Sequence, residues 1–595
     1  MNKRTFLKLI GSATLLRSLA GRLRASTTYG RRRPSDAAWP SEAVWKQLND
    51  AAGGNLIRVE SPLSILKTDP ESDAAKRLLE DLKNPYYVGD QPGLTQTLGW
   101  VDAWSTQPSV YAVAARSAQD MAAAVNFARE NQLRLVVKGG GHSFQGTSNA
   151  PDSLLIWTRQ MNDVTMHSAF VPQGCERTLP PQPAVTAGAG VIGMQAYTAV
   201  TTEGGKYVQG GGCTTVGLAG LVQSGGFGSF SKHYGTAAGS LLEAEVVTAD
   251  GAIRIANACT NPELFWALKG GGGGSFGAVS KLTLRLHELP ELFSFVSFAV
   301  KAASDDAYRR LIRQFVSHYG EHLFNHHWGE QAFLTPDNFL RIRMLSCGLD
   351  TGQPNKIWQP FLDWVARAPN DYSHQERVII VSFPARRYWN VKWNTGFQRD
   401  QRTGAGPNNA WWSGDGTMAA WFLWGFQSLW LPASLLEGDA QEQLTDALFN
   451  GSRYHSIELA FNKGLAGAPQ DAIAAARDTA MNPAVLTAFA LALVGAYNRG
   501  FAYPGASGHE PSAEKAHQAA EHIDRCMNHL RALVPNPGSY VSESNYFEKD
   551  WQRSYWGTNH QRLADIKRKY DPDGLFFVHN GIGSEQWSTD GFTRR

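Results

Sequence analysis

One stretch constrains this chain more than any other: Leu133 to Ser148, LRLVVKGGGHSFQGTS. It reads as a short apolar strand, Leu133 to Val137, opening into a loop that holds Gly139, Gly140, Gly141 and Gly146. Without a Cβ in the way, consecutive glycines let backbone N–H groups approach an anion closely. His142 puts a nucleophilic imidazole inside that loop, which points to a ligand that is both held and bonded. Ser117 and Asp120 form a capping-box-like start just upstream, and Met121, Ala124, Val125 and Ala128 follow at helical spacing. Helix, strand and anion-binding loop therefore form one unit.

At 595 residues the chain can bury a large core and carry two or three domains. A formal net charge of +3 is too small to argue for nucleic acid or an anionic membrane as partner. Residues 26 to about 104 read as a polar lead-in with one helix, Ser41 to Ala51. Short strands are expected at Leu154 to Trp157, Ala184 to Ala187, Leu241 to Thr248 and Val279 to Leu286. The five cysteines form no CxxC pair, which argues against a structural zinc site, and their odd number leaves at least one thiol unpaired.

Two glycine motifs invite readings that their surroundings refuse. Gly188 to Gly193 is a literal G-x-G-x-x-G, but further glycine clusters follow instead of a helix, strand and acidic residue. Gly273 to Gly277 matches the G-x-S-x-G nucleophile elbow, yet glycines precede Ser275 and a strand pattern follows it. Neither a dinucleotide fold nor a hydrolase is expected.

From about residue 290 the texture changes to longer helices and aromatic strands. The apolar run Ala484 to Ala496 reads as a buried helix. His318, His322 and His326 recur every fourth residue, as imidazoles along one helix face would, although HYGEH lacks the glutamate of a zinc-protease motif. The tail reads as an aromatic strand from Tyr540 and a helix Asn559 to Tyr570, stopped by Asp571-Pro572.

Taken together, these motifs resemble the berberine-bridge-enzyme-like flavoproteins of the vanillyl-alcohol-oxidase superfamily. The resemblance rests on Lys138 to Ser143 (KGGGHS), Gly212 to Gly217 (GCTTVG), Gly225 to Gly228 (GGFG), Phe265 to Gly277 (FWALKGGGGGSFG), and Tyr555 to Leu563 with Lys569 to Pro572. The middle, including Phe461 to Gly467 (FNKGLAG), looks most like the isoamyl-alcohol-oxidase-like branch. The implied fold is α+β. It joins an FAD-binding domain (105–289), an antiparallel-sheet substrate domain (290–530) and a berberine-type tail (531–595) that returns to the first.

The resemblance further implies FAD bonded twice, through His142 at the 8α-methyl and Cys213 at ring C6. Gly139, Gly140, Gly141, Ser143, Gly146 and Thr147 would hold the pyrophosphate. Lys138, Gly212, Gly217, Gly220, Gly228 and Val247 complete the expected cofactor-binding set. The implied reaction moves a hydride from a CH–OH carbon of an alcohol or sugar-like substrate to the flavin, with O2 as acceptor giving H2O2. Tyr540 is the first choice of base, provided a neighbouring cation or flavin contacts lower its pKa from about 10. Glu543 and Tyr546 stand behind it. Two departures from the family pattern are Ser542, where many relatives carry Asn, and Leu221, where plant-type members often carry His. Leu218 and Ala219 are expected to face the oxygen-reacting edge. A dehydrogenase using a periplasmic carrier and a non-catalytic flavin- or carbohydrate-binding protein stay open as alternatives.

Residues 1–25, with Lys3-Arg4 before a modest apolar run, resemble a twin-arginine export signal. That route carries folded proteins, so FAD would be captured in the cytoplasm before export to the periplasm or beyond. The run is far shorter than the ~20 residues that a membrane span needs.

Overall fold

The computed structural model describes residues 30–595, so residues 1–25, expected as an export signal, lie outside the described residues. Three sheets carry the architecture. The first has four strands in the order Leu56–Arg58, Tyr111–Ala114, Ser153–Trp157, Arg134–Lys138, the last three mutually parallel. Helix Ala118–Glu130, capped by Ser117 Oγ accepting from the Asp120 N–H, buries Met121, Ala124, Val125 and Ala128 against it. The second sheet is antiparallel, in the order Ile253–Asn257, Leu241–Val247, Ala278–Arg285, Gln182–Gly188, Val164–Phe170. Gly188 thus ends an antiparallel strand, which explains why its G-x-G-x-x-G has no dinucleotide context. Ser275 leads into a strand and not a helix, so the elbow reading also fails.

The third sheet has ten strands and belongs mostly to the middle of the chain. Helices Asp305–His318, Gln353–Ala366, Gly438–Ser452 and Ala513–Arg531 share one large core with it. The segment expected as a buried helix is its strand Ala488–Tyr497. Alternation is real but hidden, because both faces are apolar. Ala490, Ala492 and Val494 face the helices, while Leu491 and Leu493 join a second core containing Phe227 and Tyr540.

The lead-in is more ordered than its composition indicates. Besides helix Glu42–Ala51 it contributes Leu56–Arg58 to the first sheet and Thr97–Trp100 to the third, paired parallel to Trp421–Pro432. The tail packs back on the flavin-side glycines. Lys567 Nζ donates to the Ser275 carbonyl (2.6 Å) and Trp556 Nε1 to the Gly270 carbonyl (3.1 Å). From Tyr540 to Asp550 the chain is irregular, not the expected strand; helices Trp551–Trp556 and His560–Tyr570 follow. Cys175 and Cys259 form a disulfide, leaving Cys213, Cys347 and Cys526 as thiols. Among the described residues no helix is long and apolar enough to cross a membrane.

Candidate active site

A cavity of about 480 Å³ opens where the glycine loops, the third sheet and the tail meet. Its floor is the loop after strand Arg134–Lys138. Gly139, Gly140, Gly141, His142, Ser143 and Thr147 line it, and Gly212, Cys213, Gly217 and Gly220 line the facing loop. The two loops cross at Gly140 and Gly217. A Cβ on Gly140 would lie 2.7 Å from the Gly217 nitrogen, and one on Gly217 would lie 2.8 Å from the Gly140 nitrogen. Neither position tolerates a side chain. At Gly212 and Gly220 an added Cβ meets nothing, so it would take up cavity space instead. Ser143 Oγ fixes the loop by accepting from the Gln145 and Thr147 N–H groups (3.2 Å each) and the Thr147 hydroxyl (2.8 Å).

His142 is buried, and burial pushes its pKa down to about 4, so the ring is neutral near pH 7. Its Nε2 sits 3.1 Å from Thr215 Oγ1, and the Thr215 backbone carbonyl also accepts from the ring. Cys213 is the opposite case. Burial raises its thiol well above the usual range, and the Asp415 carboxylate, which accepts its hydrogen bond, raises it further. Asp415 is itself pushed up to about 6 by burial, and it also accepts from the Thr214 N–H at 3.3 Å.

The roof comes from the third sheet and the tail: Glu330, Gln331, Glu458, Asn462 and Lys463, with Tyr540, Ser542 and Glu543 opposite. Lys463 Nζ bonds both oxygens of Glu543, at 2.5 and 2.6 Å. Burial works against the Lys463 charge, but the Glu543 and Glu458 carboxylates hold its pKa above the ordinary value. Glu458 accepts from Gln331 Nε2 at 2.6 Å, and burial, ahead of the pull from Lys463, raises it to about 7.

Several expected site residues lie elsewhere. Lys138 does not line the cavity; its Nζ is buried and donates to the carbonyls of Gln91, Pro92 and Leu94 (3.2, 2.6 and 2.9 Å). Burial alone lowers it to about 7. Gly146 (φ 68°) packs under Trp104, whose ring a Cβ would meet at 2.4 Å, and Gly228 packs on the Gly210 carbonyl. Val247 is a buried strand residue paired with Ala278. Tyr546 stacks on His579 with ring centroids 3.7 Å apart, and it is His579 that lines the cavity. Tyr540 does reach the cavity, but the cation expected to lower its pKa is committed to Glu543. Burial, reinforced by Glu543, pushes the phenol up to about 12. Glu543 is likewise an ion-pair partner and not a free base. Ala219, Leu221 and Ser542 line the cavity, whereas Leu218 is buried beside it.

Sequence reasoning missed Asp415, Glu330, Glu458 and the segment Phe576 to Gly581, all of which line the cavity. Glu458 carried a signal in retrospect, as a carboxylate inside an apolar run just before FNKG. Asp415 carried none, since its place depends on a fold contact two hundred residues from Cys213.

These residues fit a large, polar-edged ligand. Gln145 Oε1, Gln223 Oε1, Ser275 Oγ and Asn462 Oδ1 all belong to lining residues and are buried without a protein partner. Beside them the two glycine loops cross at Gly140 and Gly217, where no side chain fits. The fold and cavity thus define a two-part protein built to hold FAD. Comparison with known proteins agrees. A family model described as FAD binding domain matches residues 109–257, and one described as berberine and berberine like matches 539–583. The chain is 30% identical to the FAD-linked oxidoreductase notD of an Aspergillus species, over 95% of this chain and 90% of that one. It is 29% identical to the VAO-type flavoprotein oxidase VAO615 of Thermothelomyces thermophilus, over 97% and 98%. The crystal structure of MtVAO615 from Myceliophthora thermophila superposes with a TM-score of 0.77 at 26% identity, over 95% of this chain and all of that one. The glucooligosaccharide oxidase of Acremonium strictum shares the fold, with a TM-score of 0.61 at 20% identity over 88% and 99%. The chain belongs to the berberine-bridge-enzyme-like FAD oxidoreductases of the vanillyl-alcohol-oxidase superfamily.

Proposed function

We propose that this oxidoreductase converts a CH–OH group of a sugar-like or related small alcohol to the carbonyl and passes the two electrons to O2, giving H2O2. The observation that carries the reading is Glu458. It is a half-buried carboxyl on the cavity wall whose pKa desolvation raises to about 7, in the same cavity as His142 and Cys213. A base poised near the working pH can take the substrate's hydroxyl proton as the carbon gives up hydride. Tyr540, protonated at that pH, serves as the hydroxyl that orients the substrate. Bound FAD supplies the hydride acceptor.

Both tethers belong to this proposal. The glucooligosaccharide oxidase of Acremonium strictum carries a 6-S-cysteinyl, 8α-N1-histidyl FAD. Here the neutral imidazole of His142 on the cavity wall suits the histidyl bond. Cys213 needs a proton acceptor before it can bond, and Asp415 is in contact with it. The Cys175–Cys259 disulfide supports residence in an oxidising compartment after export.

The test is anaerobic mixing with a panel of oligosaccharides and of aromatic and aliphatic alcohols, followed by air. Bleaching of the yellow chromophore, then its recovery with one H2O2 per substrate oxidised, supports the reading. Bleaching that air fails to reverse but an artificial acceptor does reverse would make the enzyme a dehydrogenase.

A further inference from the structure

The four-residue spacing of His318, His322 and His326 does not survive folding. Helix Asp305–His318 ends at the first of them and continues as a wider π-type turn, Tyr319–Leu323. His326 lies beyond that turn and, with its neighbour His327, meets His233 from another part of the chain. Ring nitrogens of His233, His326 and His327 all fall within 4.8 Å of one another, and none of the three residues lines the flavin cavity. We propose that these three imidazoles bind a divalent transition-metal ion, zinc in the first instance, clamping the flavin-binding part to the third sheet.

The tautomers support the assignment. His327 Nδ1 lies 2.7 Å from the Cys347 carbonyl, which can only accept, so Nδ1 carries the proton and Nε2 presents a lone pair. A ligating histidine is usually oriented in this way, by a backbone carbonyl on its far nitrogen. The Cys347 N–H returns a bond to the His327 carbonyl (2.9 Å), and Asn325 Oδ1 accepts from the His327 N–H (3.0 Å), so this residue is fixed twice more. His233 and His326 bring their Nδ1 atoms to 2.9 Å. Two protonated nitrogens cannot face each other at that distance, so at least one further lone pair points into the cluster.

Tetrahedral zinc with Zn–N of about 2.0–2.1 Å sets its ligand nitrogens about 3.3 Å apart. The short His233–His326 edge needs to open by a few tenths of an ångström, and the longer edges close by rotation of the half-buried His326 and His327 rings. Three imidazoles without thiolates or carboxylates suit zinc, copper or nickel and disfavour calcium and magnesium. A fourth position is left for water.

The cluster's place explains what an ion there would do. His233 ends helix Ser231–Tyr234 on the flavin side, while His326 and His327 immediately precede strand Trp328–Leu334. Two residues on, a Cβ at Gly329 would lie 2.1 Å from the Ser229 carbonyl, so the two parts already touch backbone to backbone. The same strand delivers Glu330 and Gln331 to the cavity roof. An ion at its root would brace the roof without entering it. Nothing about this cluster depends on what the cavity holds.

The experiment uses the purified full-length flavoprotein without a histidine tag, stripped with a chelator, desalted and titrated calorimetrically with zinc chloride. One zinc per chain and a higher Tm with zinc are expected. His326→Ala and His327→Gln should each weaken binding by ~10-fold or more, while His318→Ala leaves it unchanged. Chromophore absorbance and the circular dichroism spectrum check that each variant has folded; His326→Asn replaces any variant that has not. No stoichiometric zinc binding, or binding that survives substitution of His326 and His327, overturns the proposal.

Discussion

Lys463 bonds both carboxylate oxygens of Glu543 and thereby ties the third sheet to the berberine-type tail across the cavity. Both side chains are largely buried, so removing the cation strands a carboxylate. Lys463→Met should cost about 3 kcal/mol of stability. Lys463→Arg should recover most of it. Chemical denaturation of the two variants side by side checks this, and equal loss in both would mean that shape matters more than charge.

Asp415 is expected to govern the cysteinyl tether. Asp415→Asn keeps the size and removes the proton acceptor for a thiol that burial holds protonated. Proteolysis and mass spectrometry should then find flavin on the His142 peptide alone, with Cys213 free to react with a thiol reagent after unfolding.

Lys138 sits within the most legible motif of the chain yet performs a structural task. Lys138→Met removes three donors from the carbonyls of Gln91, Pro92 and Leu94. At about 1 kcal/mol per buried bond the loss should be about 3 kcal/mol, with flavin attachment intact. Loss of flavin from a protein still folded by circular dichroism would return Lys138 to the cofactor set.

Acid should touch the chemistry before it destabilises the fold. Burial holds His287 and His318 at about 4, while in the unfolded chain they titrate near 6.5. Between those values the unfolded state binds more protons, so stability falls as pH drops from about 6.5 towards 4 and is untouched by these groups above 6.5. A Tm series over that window checks the sign. Activity should follow another group. With Glu458 as base, kcat/KM rises through pH about 7, and Glu458→Gln flattens that limb and lowers the rate ~100-fold or more.

What could be read from residues alone was local. The helix from Ala118 and the strand and glycine loop after it, with His142 inside, announce themselves through spacing and backbone chemistry, whereas the bonding roles expected of His142 and Cys213 come from the family resemblance. Strand Ala488–Tyr497 did not, because burial on both faces erases the period-2 signal that separates strand from helix. Asp415 and Glu458 acquire their character only when folding dehydrates them. The metal-like histidine cluster joins position 233 to 326 and 327, a contact no spacing rule reaches. For Tyr540 the residue was placed in the cavity as expected, but its pKa moved the other way, because burial and then Glu543 outweigh the lowering pull of Lys463.

Whether this cavity holds FAD by two bonds is decided most directly by one measurement, the intact mass and visible spectrum of the acid-precipitated protein. A yellow pellet whose mass exceeds the polypeptide by one FAD is the predicted result. His142→Ala and Cys213→Ala should each retain the flavin through the remaining bond, and the double variant should release it. A colourless pellet from the unsubstituted protein, with flavin in the supernatant, would contradict the tethers.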